Sequence, residues 1–402
     1  MSLVLSVSSS RADVGILAPV WHALAAEPAL DLHIFLTGAH GSDSTLTDGS
    51  LPAAVVVHRG GADLAGQAAP AAAAAMPKIA AAMVRVIDQV SPDVVLVIGD
   101  RLDMLPAAMA TLAYNLPIVH LHGGESSEGA IDERIRHAIS KLAHIHCATS
   151  VDAAMRLNKM GEEPWRIHVT GAPGLDSLLA APQLSADELV GELGLGAGDS
   201  FILATIHPET NADNPFAPLD AILKALDTAP RPTVITAPNA DPGGAEMRAR
   251  IIEFTAARPW ALFRDTLGAR LYVNAMRFAA VMLGNSSSGI VEAGLFGLPV
   301  VDVGSRQAGR ACGTNVQNCK SDASSITRLL EEVKYSVKPP RRPAACLYGD
   351  GRAAPRIAAV VAAALRDRER LLRKRFSDEV GSFVAPWMPE AADRSNAKDT
   401  AA

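Results

Sequence analysis

The chain alternates short β-branched runs with longer helical stretches, and this alternation constrains its fold more than any other feature. Many of the runs are apolar throughout, which is typical of parallel strands buried on both faces. Such alternation predicts right-handed βαβ units and parallel sheets covered by helices. The candidate strands are Leu3–Val7, Leu32–Leu36, Ala54–His58, Asp93–Ile98, Pro117–His120, Ile145–Ala148, Ile167–Thr170, Phe201–Ile206, Thr233–Ala237, Arg270–Val273, Ala280–Leu283 and Val300–Val303.

A break near Ser185 separates the first seven of these strands from the later five and predicts two Rossmann-like, doubly wound α/β domains. We place the first domain at residues 1–178 and the second at 179–354, with the active site in the cleft between them. A helical pattern at 355–384 has no strand after it and is expected to pack back on the first domain. Residues 385–402 are polar and predict a flexible tail.

Composition narrows the class of protein. The 402 residues are 49% hydrophobic, which excludes a mostly disordered chain, and the net charge of −6 argues against a nucleic-acid binder. Four irregularly spaced cysteines suit a reducing cytoplasm better than a disulfide framework. The longest apolar stretch, 68–90, is interrupted by prolines and charges, so we expect no membrane span and no membrane partner.

Ligands of open parallel sheets bind beyond the carboxyl ends of the strands, so the residues that follow each strand are the candidates for function. The segment Ser8–Asp13 opens a helix with hydroxyls, free N–H groups and Arg11. This fits an anion site or an ordinary N-cap with a surface arginine. After the fourth strand, Asp100 stands beside Arg101 and is a candidate base, hydroxyl acceptor or salt-bridge partner.

The residues after the fifth strand add candidates for proton transfer. His122 and Glu125 flank a glycine pair, and Asp132 and Arg136 are four residues apart, hence on one face of a helix. A surface ion pair would explain the last two alone. If Asp100, Glu125 and Asp132 converge, their repulsion raises one pKa and creates an acid–base pair.

The strongest nucleotide signal lies in the second half, where residues 284–292 read GNSSSGIVE. A strand end, a Gly/Ser loop and a helix start would present N–H and O–H donors to a diphosphate, although a Ser-rich N-cap explains the serines equally. Glu292 follows about one turn into the helix, where it can accept both hydroxyls of a ribose. The candidate binding residues in and around this loop are Asn239, Ser286, Ser287, Ser288, Gly289, Glu292 and Arg306. His207, which follows a strand of the same half, is a candidate catalytic residue, although a lone histidine in that place is as often structural.

Two common cofactor motifs are missing from the sequence. There is no G-x-x-x-x-G-K-[ST] phosphate loop, and no G-x-G-x-x-G follows the first strand. The histidines lack convincing metal-ligand spacing, and the pair His144 and His146 suits a structural role better. We therefore expect neither a metal nor a cofactor.

Seven segments together carry a resemblance to a known family. They read GDRLDM, HLHGGESSEGAIDERIRHAISKLAHIH, VTGAPGLD, HPET, PNADPGG, GNSSSGIVEAGLFGLPVVDVGSRQAGR and YGDGRAAPRI, and they extend from about Arg11 to Ile357. In order and spacing they resemble the hydrolysing UDP-N-acetylglucosamine 2-epimerases of the sialic-acid-pathway type. The resemblance implies the fold of the GT-B glycosyltransferases.

The resemblance also implies a two-step reaction on UDP-GlcNAc. A base removes the C2 proton while UDP leaves C1, giving a 2-acetamidoglucal. Water then adds with protonation of C2 from the opposite face, and free ManNAc is released. The implied setting is sialic or nonulosonic acid or surface polysaccharide biosynthesis, and the implied assembly is a homodimer or homotetramer.

Roles carry over from the family by position. Asp100 and Asp132 match the acid–base carboxylates, Arg136 orients the site, and His40 matches a histidine on a mobile loop near the sugar. Asp13, Arg101, Ser288 and Gly289 are expected beside the substrate. The diphosphate is expected at Arg11, His207, Ser286, Ser287 and Arg306, the ribose at Glu292 and the uracil near Asn239.

The sequence departs from the family pattern around the sugar. Several members carry a catalytic glutamate where this chain has His122, so His122 or Glu125 would have to serve. Leu102 stands where an aromatic is common. These changes leave open the same chemistry on a UDP- or GDP-linked 2,4-diacetamido-trideoxyhexose. A GT-B glycosyltransferase and an inactive nucleotide-sugar-binding protein are alternatives of another class.

Overall fold

The computed structural model describes residues 1–41, 51–64, 67, 69–126, 131–196, 198, 200–209, 212–239, 243–333 and 346–388, and the side chains of Arg11, Ala12, Gly41 and Ala69 lie outside that description. The chain forms two compact units. The first comprises Met1–Glu125, Ile131–Asp176 and the chain from Gly349 onwards, and the second is built on Ser177–Tyr348.

The first unit contains a seven-stranded parallel sheet in the order β3-β2-β1-β4-β5-β6-β7. Strand β1 lies between β2 and β4, so the direction of winding reverses there, and ligands of such sheets bind at this point. The strands are β1 Ser2–Ser8, β2 Leu30–Leu36, β3 Val56–Arg59, β4 Val94–Ile98, β5 Ile118–Leu121, β6 Ile145–Ala148 and β7 Ile167–Val169.

The second unit repeats this winding in a six-stranded parallel sheet of order β10-β9-β8-β11-β12-β13. Its reversal lies between β8 and β11, whose residues Thr205 and Gly284 pair at the carboxyl end. The strands are β8 Ile202–Thr205, β9 Thr233–Thr236, β10 Ala261–Arg264, β11 Val281–Gly284, β12 Val300–Val303 and β13 Val316–Cys319. The predicted α/β class, with two doubly wound parallel sheets, is confirmed.

Helices connect the strands, and local capping sets several of their ends. Ser10 and Asp13 form a capping box at the start of α1, as Ser185 and Glu188 do for α8. The helices are α1 Arg11–Ala25, α2 Gly38–Gly41, α3 Ala69–Val90, α4 Met104–Leu112, α5 Ile131–Leu142, α6 Val151–Lys159, α7 Gly174–Ala180, α8 Ala186–Leu193, α9 Ala217–Thr228, α10 Gly244–Ala256, α11 Gly268–Phe278, α12 Ser287–Val291, α13 Ala323–Glu332, α14 Ala353–Ala364 and α15 Arg368–Leu372.

Helix α14 belongs to the core of the first unit. Its residues Ile357 and Val361 are fully buried in the same apolar cluster as β1, β4 and α1. The Asp176 carboxylate begins the helix by accepting the N–H groups of Ala353 and Ala354, at 3.0 and 2.8 Å. The helical stretch predicted at 355–384 is not one continuous helix. It contains α14, a 3-10 turn at Leu365–Asp367 and α15. Most of the predicted tail, residues 389–402, lies outside the described residues.

Helix α3 is the apolar stretch that the sequence analysis singled out. Within the described part of the chain, its Pro70–Val90 portion is the one helix long and apolar enough to cross a membrane by length and composition. Ile79 and Met83 nevertheless lie fully buried in the core of the first unit. An amphipathic core helix explains this pattern.

One predicted strand is wrong and two strands were missed. Arg270–Val273 lies inside helix α11, because Val273 and Met276 are core residues at helical spacing. A four-residue apolar run cannot distinguish strand from helix. The missed strands, β10 and β13, are the two edges of the second sheet, where partial exposure removes the apolar signature of a central strand.

Candidate active site

In the first unit, the predicted residues follow the carboxyl ends of β1, β2, β4 and β5 or lie on α5. The loop after β1 is held by one buried carboxylate. Asp13 Oδ2 accepts the N–H groups of Ser9 and Ser10 at 2.7 and 2.9 Å, and its Oδ1 accepts the Ser10 hydroxyl at 3.0 Å. The structure thus gives Asp13 a loop-holding role. The Arg11 side chain lies outside the described residues.

His40 packs against the same loop. It lies in the short helix α2, is 1% exposed, and its Nδ1 is 2.9 Å from the Ser8 hydroxyl. Its N–H also donates to the Ser9 carbonyl at 3.1 Å. The segment that follows, 42–50, lies outside the described residues.

Arg101 faces two carboxylates. Its guanidinium is 3.5 Å from Asp103, which is almost fully buried and is also a hydrogen-bond partner of Ser9. Burial raises the pKa of Asp103, and the charge of Arg101 opposes that rise. Burial likewise raises the pKa of Asp132, again opposed by Arg101. A carboxyl with a raised pKa is better suited to exchange protons near neutral pH.

Arg136 joins the ends of β4 and β5 to α5. It is 3% exposed, and its Nη2 donates to Asp100, while its Nη1 donates to the Glu125 carbonyl and to Glu133, both at 3.0 Å. The guanidinium fork therefore fixes Asp100 relative to the helix that carries Asp132. The structure brings Asp100, Glu125 and Arg136 together, and the orienting role of Arg136 stays a prediction.

His122 and Glu125 form a hydrogen-bonded pair. His122 Nδ1 and Glu125 Oε1 are 2.8 Å apart, and the Thr149 hydroxyl donates to the same oxygen at 2.8 Å. His122 also has φ of +64°, a left-handed backbone conformation that non-glycine residues rarely adopt. The sequence analysis posed these two residues as alternatives, whereas the structure joins them.

His120 belongs to the site's support and was missed as a candidate. It is fully buried, with Nε2 2.8 Å from the Gly99 carbonyl and Nδ1 3.2 Å from the Ser140 hydroxyl of α5. Burial lowers the pKa of His120 to about 3, so the ring is neutral at physiological pH. The sequence feature that could have identified His120 is its position on a buried strand, two residues before His122.

In the second unit, Asn285 is the hub of the strand ends. It is fully buried, and its side chain accepts the His207 N–H at 2.7 Å and donates to the His207 carbonyl at 2.9 Å. Its own carbonyl accepts Arg306 Nη1 at 3.3 Å and Gln307 Nε2 at 2.9 Å. Asn285 thus ties together the ends of β8, β11 and β12, through its side-chain amide to His207 and through its backbone carbonyl to Arg306 and Gln307. The sequence analysis quoted Asn285 within its motif but gave it no role.

The contacts of His207 fix its tautomer. Its Nδ1 accepts the backbone N–H of Asn239 at 3.0 Å, so the proton of the neutral ring is on Nε2. An N–H donor at a strand end suits an anion. The structure therefore joins His207 and Asn239, which the sequence analysis placed near the diphosphate and the base respectively.

Glu209 shapes the loop after β12. Its Oε1 accepts the N–H groups of Ser305 and Arg306, at 2.5 and 2.8 Å. Nearby Asp302 is 4% exposed, and burial, helped by the charge of Glu209, raises the pKa of Asp302 to about 6. Arg306 and Arg310 oppose that rise. This loop therefore carries both cationic and anionic groups.

The serine loop after β11 begins the five-residue helix α12. Ser286 is its N-cap and accepts the N–H of Ser288 at 3.4 Å, and Glu292 is the C-cap. Burial raises the pKa of Glu292, opposed by a hydrogen bond from Ser288. Ser287 is half-buried at the first helical position.

Two further residues change the predicted picture of the serine loop: Gly289 has a packing role, and Tyr272 is an additional member of the site. A Cβ on Gly289 would lie 2.9 Å from Val300 Cγ1, so this glycine permits close helix–strand packing. Tyr272 was missed. Its hydroxyl interacts with Ser286 and Ser288, and burial, with the charge of Glu292, raises the pKa of Tyr272 to about 12. The mistaken strand at 270–273 hid this residue.

In the part of the chain that the structure describes, no group of three or more His, Cys, Asp or Glu side chains is arranged to hold a metal ion.

Comparison with known proteins matches this picture. The family model described as UDP-N-acetylglucosamine 2-epimerase matches residues 22–362. A UDP-N,N'-diacetylbacillosamine 2-epimerase (hydrolyzing) of Legionella pneumophila is 33% identical over 366 residues, covering 88% of this chain and 93% of the relative. A UDP-N-acetylglucosamine 2-epimerase of Neisseria meningitidis is 28% identical over 336 residues, covering 83% and 87%.

A solved structure supports the fold. The crystal structure of a putative UDP-N-acetylglucosamine 2-epimerase from Listeria monocytogenes aligns with a TM-score of 0.73 at 20% identity, covering 91% of this chain and 97% of that one. The family match extends over most of the chain and includes the strand ends that carry Asp100, His122, Asp132, Asn285 and Glu292. The chain therefore belongs to the UDP-N-acetylglucosamine 2-epimerase family.

Proposed function

We propose that this family member is a hydrolysing 2-epimerase, which converts a UDP-linked 2-acetamido sugar into UDP and the free C2 epimer. The reaction eliminates UDP across C1 and C2 and then hydrates the resulting 2-acetamidoglucal. The observation that carries the proposal is the convergence of Asp100, Glu125 and His122 with Arg136 at adjoining strand ends. Asp132 lies on the same helix as Arg136.

The proton chemistry is assigned to the first unit. Removing the C2 proton needs a carboxylate base, and hydration needs a proton donor on the other face of the sugar. Asp132, whose pKa is raised by burial, is the carboxyl to which we assign proton exchange with the sugar. Asp100 is held by Arg136, which suits a carboxylate that stays ionised.

Binding of the leaving group is assigned to the second unit. UDP departs with additional negative charge on its diphosphate, so donors placed there stabilise the transition state. His207 Nε2–H, the hydroxyls of Ser286 and Ser287, and Arg306 supply such donors. Glu292 is assigned to the ribose hydroxyls and Asn239 to the region of the uracil. Arg11, from the first unit, is assigned to the diphosphate.

For the sugar we propose N,N'-diacetylbacillosamine, a 2,4-diacetamido-trideoxyhexose, linked to UDP. The relative with that substrate in its name is 33% identical, against 28% for the relative named for UDP-N-acetylglucosamine. Leu102, where the family often has an aromatic, adds room beside the sugar. UDP-GlcNAc, with ManNAc as its product, is the second candidate, favoured by the description of the matching family model. We place the reaction in the cytoplasm and in a homo-oligomer, in keeping with the sequence analysis.

The test is incubation of the full chain with each nucleotide sugar in acceptor-free buffer. Release of UDP and free epimerised sugar is expected from both, with kcat/KM at least tenfold higher for the diacetamido sugar, which is about 1.4 kcal/mol of transition-state discrimination. Equal or reversed kcat/KM values would overturn the sugar assignment. Return of an epimerised UDP-sugar without free UDP would overturn the hydrolysing reaction.

A further inference from the structure

We propose that His122 and Glu125 act as one dyad, in which His122 Nε2 donates the proton to C2 during hydration of the glycal. Glu125 and Thr149 are positioning residues that set the state of the imidazole. The proposal rests on the proposed function, since it assigns one proton of that reaction to one atom.

The hydrogen bonds of Glu125 determine which ring nitrogen is protonated. Its Oε1 accepts the Thr149 hydroxyl at 2.8 Å and lies 2.8 Å from His122 Nδ1. An ionised carboxylate oxygen only accepts, so Nδ1 carries the proton. Nε2 is left as the nitrogen to which the proposal assigns the proton that is transferred in the reaction.

The other nitrogen of the ring has no partner in the structure. His122 Nε2 is buried and has no hydrogen-bond partner among the described residues. His120, two residues earlier, has partners on both nitrogens, whereas His137 and His146 each pair one nitrogen with a glutamate and leave the other unpaired, as His122 does. The lone nitrogen therefore supports the proposal together with the backbone conformation of His122, which His137 and His146 do not share.

The backbone around His122 is held in an unfavourable conformation. A φ of +64° at a non-glycine residue is unfavourable and persists only where the surroundings impose it. Here the His122 N–H donates to the Cys147 carbonyl at 3.3 Å, Arg156 donates to the Gly124 carbonyl, and Arg136 donates to the Glu125 carbonyl. Strain enforced by this many contacts is typical of a functional position.

The proton balance of the two steps is complete. In elimination, a carboxylate takes the C2 proton, the C–H electrons form the C1–C2 double bond, and UDP leaves with the electrons of the C1–O bond. In hydration, the His122 imidazolium gives its Nε2 proton to C2, and the double-bond electrons form the new C–H bond. The water oxygen bonds to C1 and its proton passes to a carboxylate. Glu125 keeps the Nδ1 proton in place throughout.

The kinetic test is a double-mutant cycle with His122→Asn, Glu125→Gln and the double variant, following UDP, glycal and free sugar by NMR. His122→Asn should slow free-sugar formation by about 10²–10⁴-fold and raise the share of product that leaves as 2-acetamidoglucal. The double variant should be no slower than His122→Asn, because both changes disable one unit. Thr149→Val, a milder change, should slow hydration a few-fold only while His122 is present. His33→Asn in β2 is the matched histidine control and should leave turnover unchanged.

Two results would overturn the dyad. One is multiplicative loss in the double variant, and the other is hydration at the wild-type rate in His122→Asn. In either case, wild-type release of UDP and free sugar would leave the proposed function standing, whereas a wild-type chain that releases no UDP would remove the function itself. The tautomer gives a check without substrate. In ¹⁵N-histidine spectra, with His122 assigned by its loss in His122→Asn, Nδ1 should be protonated, and an unprotonated Nδ1 would contradict the proposal.

Discussion

The two units wind their sheets in the same order but place different chemistry at the same edge. In the first, the strand ends carry carboxylates and imidazoles fixed by the charged groups Asp13 and Arg136. In the second, the neutral amide of Asn285 and the carboxylate of Glu209 hold the corresponding ends, where hydroxyls, N–H donors and Arg306 are found. All but His207 of the eleven histidines lie in the first unit.

This difference follows from what each group can do. Carboxylates and imidazoles exchange protons near neutral pH, whereas hydroxyl and amide groups only donate and accept hydrogen bonds. The same sheet edge can therefore serve proton transfer in one unit and anion binding in the other.

The largest expected effect tests that division of labour. Asp132→Asn should lower kcat by about 10³-fold with KM within a few-fold, because only proton transfer is lost. Glu292→Gln should instead raise KM while kcat changes little, since it removes an acceptor for the ribose. Asp152→Asn, an exposed carboxylate of α6, is the control. If Asp132→Asn kept full turnover, or Glu292→Gln mainly lowered kcat, the contrast between the units would be wrong.

The next effect concerns the neutral hub. Asn285→Ala removes two hydrogen bonds to a buried backbone, so the free energy of unfolding should fall by about 2–3 kcal/mol and UDP should bind more weakly. Denaturant titration and calorimetric titration with UDP measure the two effects. Asn318→Ala, at an exposed position of β13, is the matched control and should change neither. A loss of stability with unchanged UDP affinity would show that the hub does not shape the nucleotide site.

The stability of the two units should also change in opposite directions as the pH falls. His120 has a folded pKa of about 3 against 6.5 in the unfolded chain, so between these values the unfolded state binds more protons. The first unit is then most stable above pH 6.5 and loses up to about 1.4 kcal/mol per pH unit below it. His144, with its pKa lowered to about 4 by burial, adds to this loss. Pulsed hydrogen exchange should show the first unit losing protection before the second as the pH falls to 5. Earlier loss in the second unit would contradict the assignment.

The smallest expected effect concerns Asp302 of the second unit, whose contribution to stability changes with pH in the direction opposite to that of His120. Asp302 has a folded pKa of about 6 against 3.8 unfolded, so the folded state binds more protons between these values, and stability from this group falls as pH rises through that window. Asp302→Asn should raise the free energy of unfolding by about 1 kcal/mol at pH 8 and change it little below pH 4. Thermal unfolding at the two pH values measures this. Equal effects at both would show that the charge of Asp302 is not what costs stability.

Much of the fold could be predicted because the central strands are buried on both faces. Eleven of the twelve predicted strands exist, and the alternation alone indicated two parallel sheets. The edges could not be predicted, since β13 is exposed and polar and β10 has no β-branched residue. The run at 270–273 was wrongly predicted as a strand, because an apolar run this short fits the repeat of a strand and the repeat of a helix equally well.

The site was predictable where a residue's type and its place after a strand both indicate chemistry. Asp100, Asp132 and the serine loop met that condition. His120 and Asn285 act through partners distant in sequence, Ser140 and His207, which no local pattern reveals. The pairing of His122 with Glu125 depends on a left-handed backbone and on Thr149, 24 residues further along the chain.

The most direct test of the central claim is ¹H and ³¹P NMR of the full chain turning over UDP-N,N'-diacetylbacillosamine in heavy water. Elimination and hydration by groups at the first unit's strand ends should yield free UDP and a free C2-epimeric sugar carrying deuterium at C2. Free UDP with an unepimerised sugar that keeps its C2 hydrogen would indicate simple hydrolysis and contradict the assignment of proton transfer to Asp100, His122 and Asp132.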